Sequence, residues 1–89
     1  MIQMITYRYV ISDKQGLHAR NAITFSRAAA EYESSVQLSV DGGKTADWKN
    51  VISLMNLGAR QGDTLVLKVE GTDEEQAAGF LQGLLRTIA

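Results

Sequence analysis

A chain of 89 residues, 45% hydrophobic and 21% charged, has room for one domain (1–89) with one modest core, which excludes a deeply enclosed active site. Its formal net charge of −1 argues against a surface that holds nucleic acid by its phosphates, but leaves open a small anion site at a helix end. The absence of cysteine removes disulfides, iron–sulfur ligation and thiolate nucleophiles, and with only one histidine no metal site is expected.

Residues 4–11 place Ile5, Tyr7, Tyr9 and Ile11 on one parity and Thr6 and Arg8 on the other, the alternation of a half-buried strand. Asp13-Lys14-Gln15-Gly16 then turns the chain. From Ala19 to about Tyr32 the period changes: Ala22, Phe25, Ala29 and Tyr32 form the stripe of an amphipathic helix. Val36, Leu38 and Val40 predict a second strand. Asp41-Gly42-Gly43-Lys44 predicts a hairpin returning through a short strand at 44–46.

Asn50 to Leu57 reads as a short helix with Val51, Met55 and Leu54 inward, closed by Gly58. Leu65, Leu67 and Val69 alternate along a last strand, and the additional apolar Val66 predicts that this strand is central. Thr72-Asp73-Glu74-Glu75 has the pattern of a capping box for a final helix. Ala78, Leu81, Leu85 and Ile88 face its core, with Gly79 and Gly83 as candidate points of close approach to the sheet. The order is βαββαβα, and one sheet with its helices on a single face buries all these stripes together. No stretch approaches the roughly 20 apolar residues of a membrane span, and no signal peptide is visible, so a cytoplasmic location is expected.

The chemistry centres on Gly16-Leu17-His18-Ala19-Arg20-Asn21-Ala22, which holds the only histidine at the junction of turn and helix. His18 occupies the expected N-cap, and the first amides of a helix have no intrahelical acceptors. The backbone amides of Ala19, Arg20 and Asn21 would cradle an anion, with the Arg20 guanidinium adding a charge-assisted pair. A neutral imidazole is the form that acts as a nucleophile. Placement alone leaves two readings open, a reactive imidazole and a polar surface residue in a turn. Gly42-Gly43-Lys44-Thr45 lacks the spacing of a phosphate-binding loop and reads as the hairpin. Trp48 precedes the short helix, where either partner docking or half-buried packing accounts for an indole.

Several motifs in order resemble the HPr phosphocarriers of the bacterial phosphoenolpyruvate-dependent sugar phosphotransferase system. They are Gly16-Leu17-His18-Ala19-Arg20, the Phe25 and Ala29 stripe, Gly43-Lys44, Lys49, Leu54 to Gly58, Gln61-Gly62 and Glu70-Gly71. The resemblance implies an α+β open-faced β-sandwich, with a four-stranded antiparallel sheet and three helices on one face. It implies a monomeric phosphoryl carrier rather than a turnover enzyme, without metal or cofactor. On this resemblance, His18 accepts a phosphoryl group at Nδ1 from phosphorylated enzyme I and passes it to an enzyme IIA domain in sugar uptake, assisted by Arg20. Val51, Ile52 and Met55, with Trp48 as a weaker candidate, match the surface that docks both partners.

Three departures stand out. Asn21 replaces the proline that follows the arginine, Asn50 stands at the regulatory serine and is not phosphorylatable, and the 41–44 hairpin has one extra residue. These departures keep two alternatives in view: a divergent paralogue in a regulatory or dihydroxyacetone-kinase relay, and a regulatory binding module on the same fold that carries no phosphate.

Overall fold

The computed structural model describes residues 3–48 and 50–89; Met1, Ile2 and Lys49, the last among the residues carrying the resemblance, lie outside the described set. Seven elements follow the expected order: β1 (Ile5–Val10), α1 (Ala19–Ala29), β2 (Ser35–Val40), β3 (Thr45–Asp47), α2 (Val51–Met55), β4 (Thr64–Glu70) and α3 (Glu74–Ile88). The sheet is antiparallel throughout, in the order β1-β4-β2-β3.

The alternation read along the chain sets the two sheet faces. Tyr7 pairs with Leu67 and Leu67 with Leu38, so these side chains share the covered face with Ile5, Tyr9, Leu65, Val69, Val36 and Ala46. The helices pack on that face, adding Ala22, Phe25 and Ala29 from α1, Leu54 from α2 and Ala77, Ala78, Leu81 and Leu85 from α3. The opposite face is polar except at Val10, which is exposed, and at Val66, which is only 6% exposed. Arg8 pairs with Val66 in register, and its guanidinium reaches across β4 to Asp41 at 2.9 Å. The stem of Arg8 therefore shields this valine, and β4 is the central strand that Val66 predicted.

Four local expectations give way to tertiary contacts. Helix α1 ends at Ala29 rather than near Tyr32, because the backbone amides of Glu33 and Ser34 donate to the Asp73 carboxylate, each at 2.9 Å. The same contact displaces the capping box at Thr72: Asp73 is the N-cap of α3 and spends its side chain on the 33–34 turn. Glu74, not Glu75, reaches back, accepting from the amides of Gly71 at 3.0 Å and Gln3 at 2.8 Å. In α2 the buried stripe runs through Leu54 to Leu57 with Val51 half-buried, and Met55 faces out at 43% exposure. Gly79 and Gly83 make no close approach: nothing lies within 4 Å of a Cβ placed on either.

Asp73 makes acid stability measurable. The Ser34 hydroxyl, then the Glu33 amide, hold its carboxyl below the ordinary value of 3.8. A group depressed in the folded state contributes fully above its unfolded pKa and loses that contribution as pH falls through the folded one. Asp73→Asn is expected to melt below wild type at neutral pH, with the gap closing as pH falls beneath the ordinary carboxylate value. Melting curves from pH 7 down to pH 2 check this, and a gap constant over that range would remove ionised Asp73 from the account.

Candidate functional site

The approach to His18 is held from outside the helix. After β1, Ile11 donates to the Asp63 carbonyl at 2.9 Å, and a turn follows in which Gly16 donates to the Asp13 carbonyl at 3.0 Å. Gly16 has φ +67°, and a Cβ there would stand 2.3 Å from the Ala59 carbonyl oxygen. Leu17 donates its amide to that same oxygen at 3.1 Å and buries its side chain in the core. The 12–17 loop is thereby pinned to the segment between α2 and β4, and the chain leaves it at His18 with little freedom.

His18 is the N-cap of α1, with extended backbone (φ −106°, ψ 179°), and its carbonyl accepts from the Ala22 amide at 2.9 Å. The half-exposed imidazole makes no capping hydrogen bond. The amides of Ala19, Arg20 and Asn21 open the helix ahead of that first bonded amide, and no acidic residue stands in the first turn. These groups concentrate donors and the positive end of the helix dipole beside the ring. The Arg20 side chain is exposed on the same turn, without an ion-pair partner among the described residues. Chemically the arrangement suits a nucleophilic nitrogen next to a binding place for a small dense anion.

Beyond the cap, α1 packs on α2 through a flank marked by Ser26, whose hydroxyl donates to the Trp48 carbonyl at 2.7 Å. Ile23 lies one turn earlier on that flank and is 41% exposed, while Ile52 on α2 is 68% exposed. With Met55 and half-buried Val51 they form an uncovered apolar border along the two helices. Trp48 is half-buried and packs against the core. Asn50 is the N-cap of α2, its Oδ1 accepting from the Ser53 amide at 3.1 Å.

Residues 5–87 match the family model described as the PTS HPr component phosphorylation site. The chain belongs to the HPr phosphocarrier family. It is 34% identical over 82 residues to the phosphocarrier protein HPr of Mycoplasma genitalium, covering 92% of this chain and 93% of that one. The HPr of Mycoplasma pneumoniae is 37% identical over 76 residues, covering 85% of this chain and 86% of its own. Among solved structures, an HPr from Thermoanaerobacter tengcongensis superposes with a TM-score of 0.83 at 34% identity, covering 93% of this chain and 92% of that one.

Three features of the site are not evident from the sequence of this family member: Ile23, the Asn21 side chain and the contact that makes Gly16 necessary. Ile23 lies outside the 22–25–29 stripe, and its place on the flank toward α2 follows from tertiary packing that helical periodicity does not show. Asn21 offers the cradle its backbone amide, and its buried side chain donates through Nδ2 to the carbonyl of Ile88. Nothing local to residue 21 announces a partner 67 positions away.

Proposed function

We propose that this HPr-family protein receives a phosphoryl group on Nδ1 of His18 from phosphorylated enzyme I and passes it to an enzyme IIA domain. The observation that carries this reading is the half-exposed imidazole at the N-cap of α1, beside three opening amides and Arg20. In the loading step the Nδ1 lone pair attacks phosphorus as the donor's N–P bond breaks, and the electron pair of that bond returns to the donor imidazole. The transferred group carries its charge on three oxygens, which the amides of Ala19, Arg20 and Asn21 and the Arg20 guanidinium stabilise in flight. No metal or cofactor is needed for this exchange between two imidazoles. Ile23, Val51, Ile52 and Met55 supply the apolar surface against which either partner docks and from which it releases.

Incubation with enzyme I and phosphoenolpyruvate tests the reading: one acid-labile, alkali-stable phosphate per chain is expected, mapped by mass spectrometry to His18. A chain that stays unlabelled while an authentic HPr is labelled in the same mixture rejects it. Arg20→Ala is expected to slow loading and unloading by about 10-fold or more, the loss of one charge-assisted contact, with melting unchanged. Unaltered transfer in both directions would take Arg20 out of the mechanism. Asn50 offers no hydroxyl, so a serine-directed regulatory kinase finds no acceptor at that position while the amide keeps α2 capped.

A further inference from the structure

The two chain segments flanking His18 are tied to one place, the end of α3. Before the histidine, the amides of Ser12 and Asp13 donate to the Ala89 carbonyl at 2.8 and 2.7 Å, and the Ser12 hydroxyl adds a contact at 3.3 Å. After it, Nδ2 of Asn21 donates to the Ile88 carbonyl. The last carbonyls of a helix have no intrahelical donors, so α3 presents free acceptors that both flanks of the site use. Asn21 is 6% exposed, and Ala89 is also buried, so the Asn21 contact lies away from bulk water.

Asn21 sits third in α1, where the matching family residue is proline. A proline there would fix φ by its ring, whereas asparagine leaves the opening turn free to fray. From this geometry we infer that Asn21 is a positioning residue: its side-chain amide, anchored on the end of α3, holds the first turn of α1 in register beneath the imidazole by a long-range hydrogen bond instead of a ring. The inference rests on the phosphocarrier reading only for its kinetic consequence; the brace itself is a property of the fold.

The test uses the full chain and three proteins: wild type, Asn21→Ala and Asn21→Pro. In wild type the Asn21 side-chain amide protons should exchange slowly with solvent. In Asn21→Ala the His18 and Ala19 amide resonances should broaden through exchange, and in Asn21→Pro the broadening should be reversed. With enzyme I as catalyst and this protein as substrate, Asn21→Ala should lower kcat about fivefold, the equivalent of one hydrogen bond, with KM nearly unchanged. Asn21→Pro is read by the backbone resonances alone, because proline fixes φ but also removes the Asn21 amide from the anion cradle.

Freely exchanging side-chain protons in wild type would overturn the inference whether or not either variant folds. A wild-type kcat in Asn21→Ala, a loss confined to KM, or His18 and Ala19 resonances as broad in Asn21→Pro as in the alanine variant would also overturn it. If wild type takes no phosphate at all, the phosphocarrier reading fails, while side-chain exchange and the backbone resonances still decide the brace.

Discussion

His18→Ala is expected to reduce phosphorylation by enzyme I to background while the protein melts at the wild-type temperature. The first half follows from chemistry: no second imidazole exists in the chain and no cysteine can substitute as nucleophile. Opening amides and Arg20 can still attract phosphate in the variant, but without a nitrogen lone pair no N–P bond forms. The second half follows from what the ring does not do. It makes no capping hydrogen bond and is half-exposed, so its removal leaves no buried donor unsatisfied and opens no core cavity. The helix–loop junction is held by the His18 carbonyl, which alanine supplies equally well. A change in stability within about 0.5 kcal/mol is therefore expected, as for an ordinary surface substitution. Acid-labile label on the variant would assign the phosphate elsewhere, and a large drop in melting temperature would make the imidazole structural.

The contrast between these roles explains how much of the protein is legible in its sequence. Elements whose faces are set by burial are legible. Ile5, Tyr7 and Tyr9 alternate because one face of β1 meets the helices, and Ala22, Phe25 and Ala29 recur because one side of α1 meets the sheet. Val66 betrays the central position of β4 because a strand flanked on both sides is shielded even on its polar face. The junction at His18 is legible because a period-two run ends and a helical stripe begins on either side of a Gly-containing turn.

The illegible parts depend on partners far along the chain. Thr72 and Glu75 have the local pattern of a capping box, yet Asp73 is committed to Glu33 and Ser34, and Glu74 to Gln3 and Gly71. Four of the six residues in that arrangement lie outside the motif, so tertiary satisfaction of backbone amides overrides the local code. The same holds for α2. In five residues a helix makes little more than one turn, and either Leu54 or Met55 satisfies the period; packing against α1 and β3 selects Leu54.

Gly16→Ala is expected to give the largest loss of stability among the substitutions considered, and to impair phosphotransfer beyond that loss. Two costs combine. An L-residue at φ +67° sits in the left-handed region, at roughly 1–2 kcal/mol. The added Cβ would also stand 2.3 Å from the Ala59 oxygen and 2.9 Å from the Arg60 Cα, and both are backbone atoms that no rotamer change can move aside. The loop must lift away, breaking the 3.1 Å bond from the Leu17 amide to Ala59 at about a further 1 kcal/mol. A total near 3 kcal/mol is a large share of the roughly 5–15 kcal/mol that stabilises a domain, and in a domain of this size it lowers Tm by roughly 12–24 °C.

Gly58→Ala separates the two costs. Gly58 has φ +68°, but nothing lies within 4 Å of an added Cβ, so that variant carries the conformational cost without the clash. It should melt several degrees above Gly16→Ala. Assayed well below both melting temperatures, Gly58→Ala should keep phosphotransfer near wild type while Gly16→Ala loses it, because only the second displaces the segment that delivers His18 to its cap. Equal melting temperatures, or equal transfer rates, would mean that the approach of the 12–17 loop to Ala59 does not set the position of the imidazole.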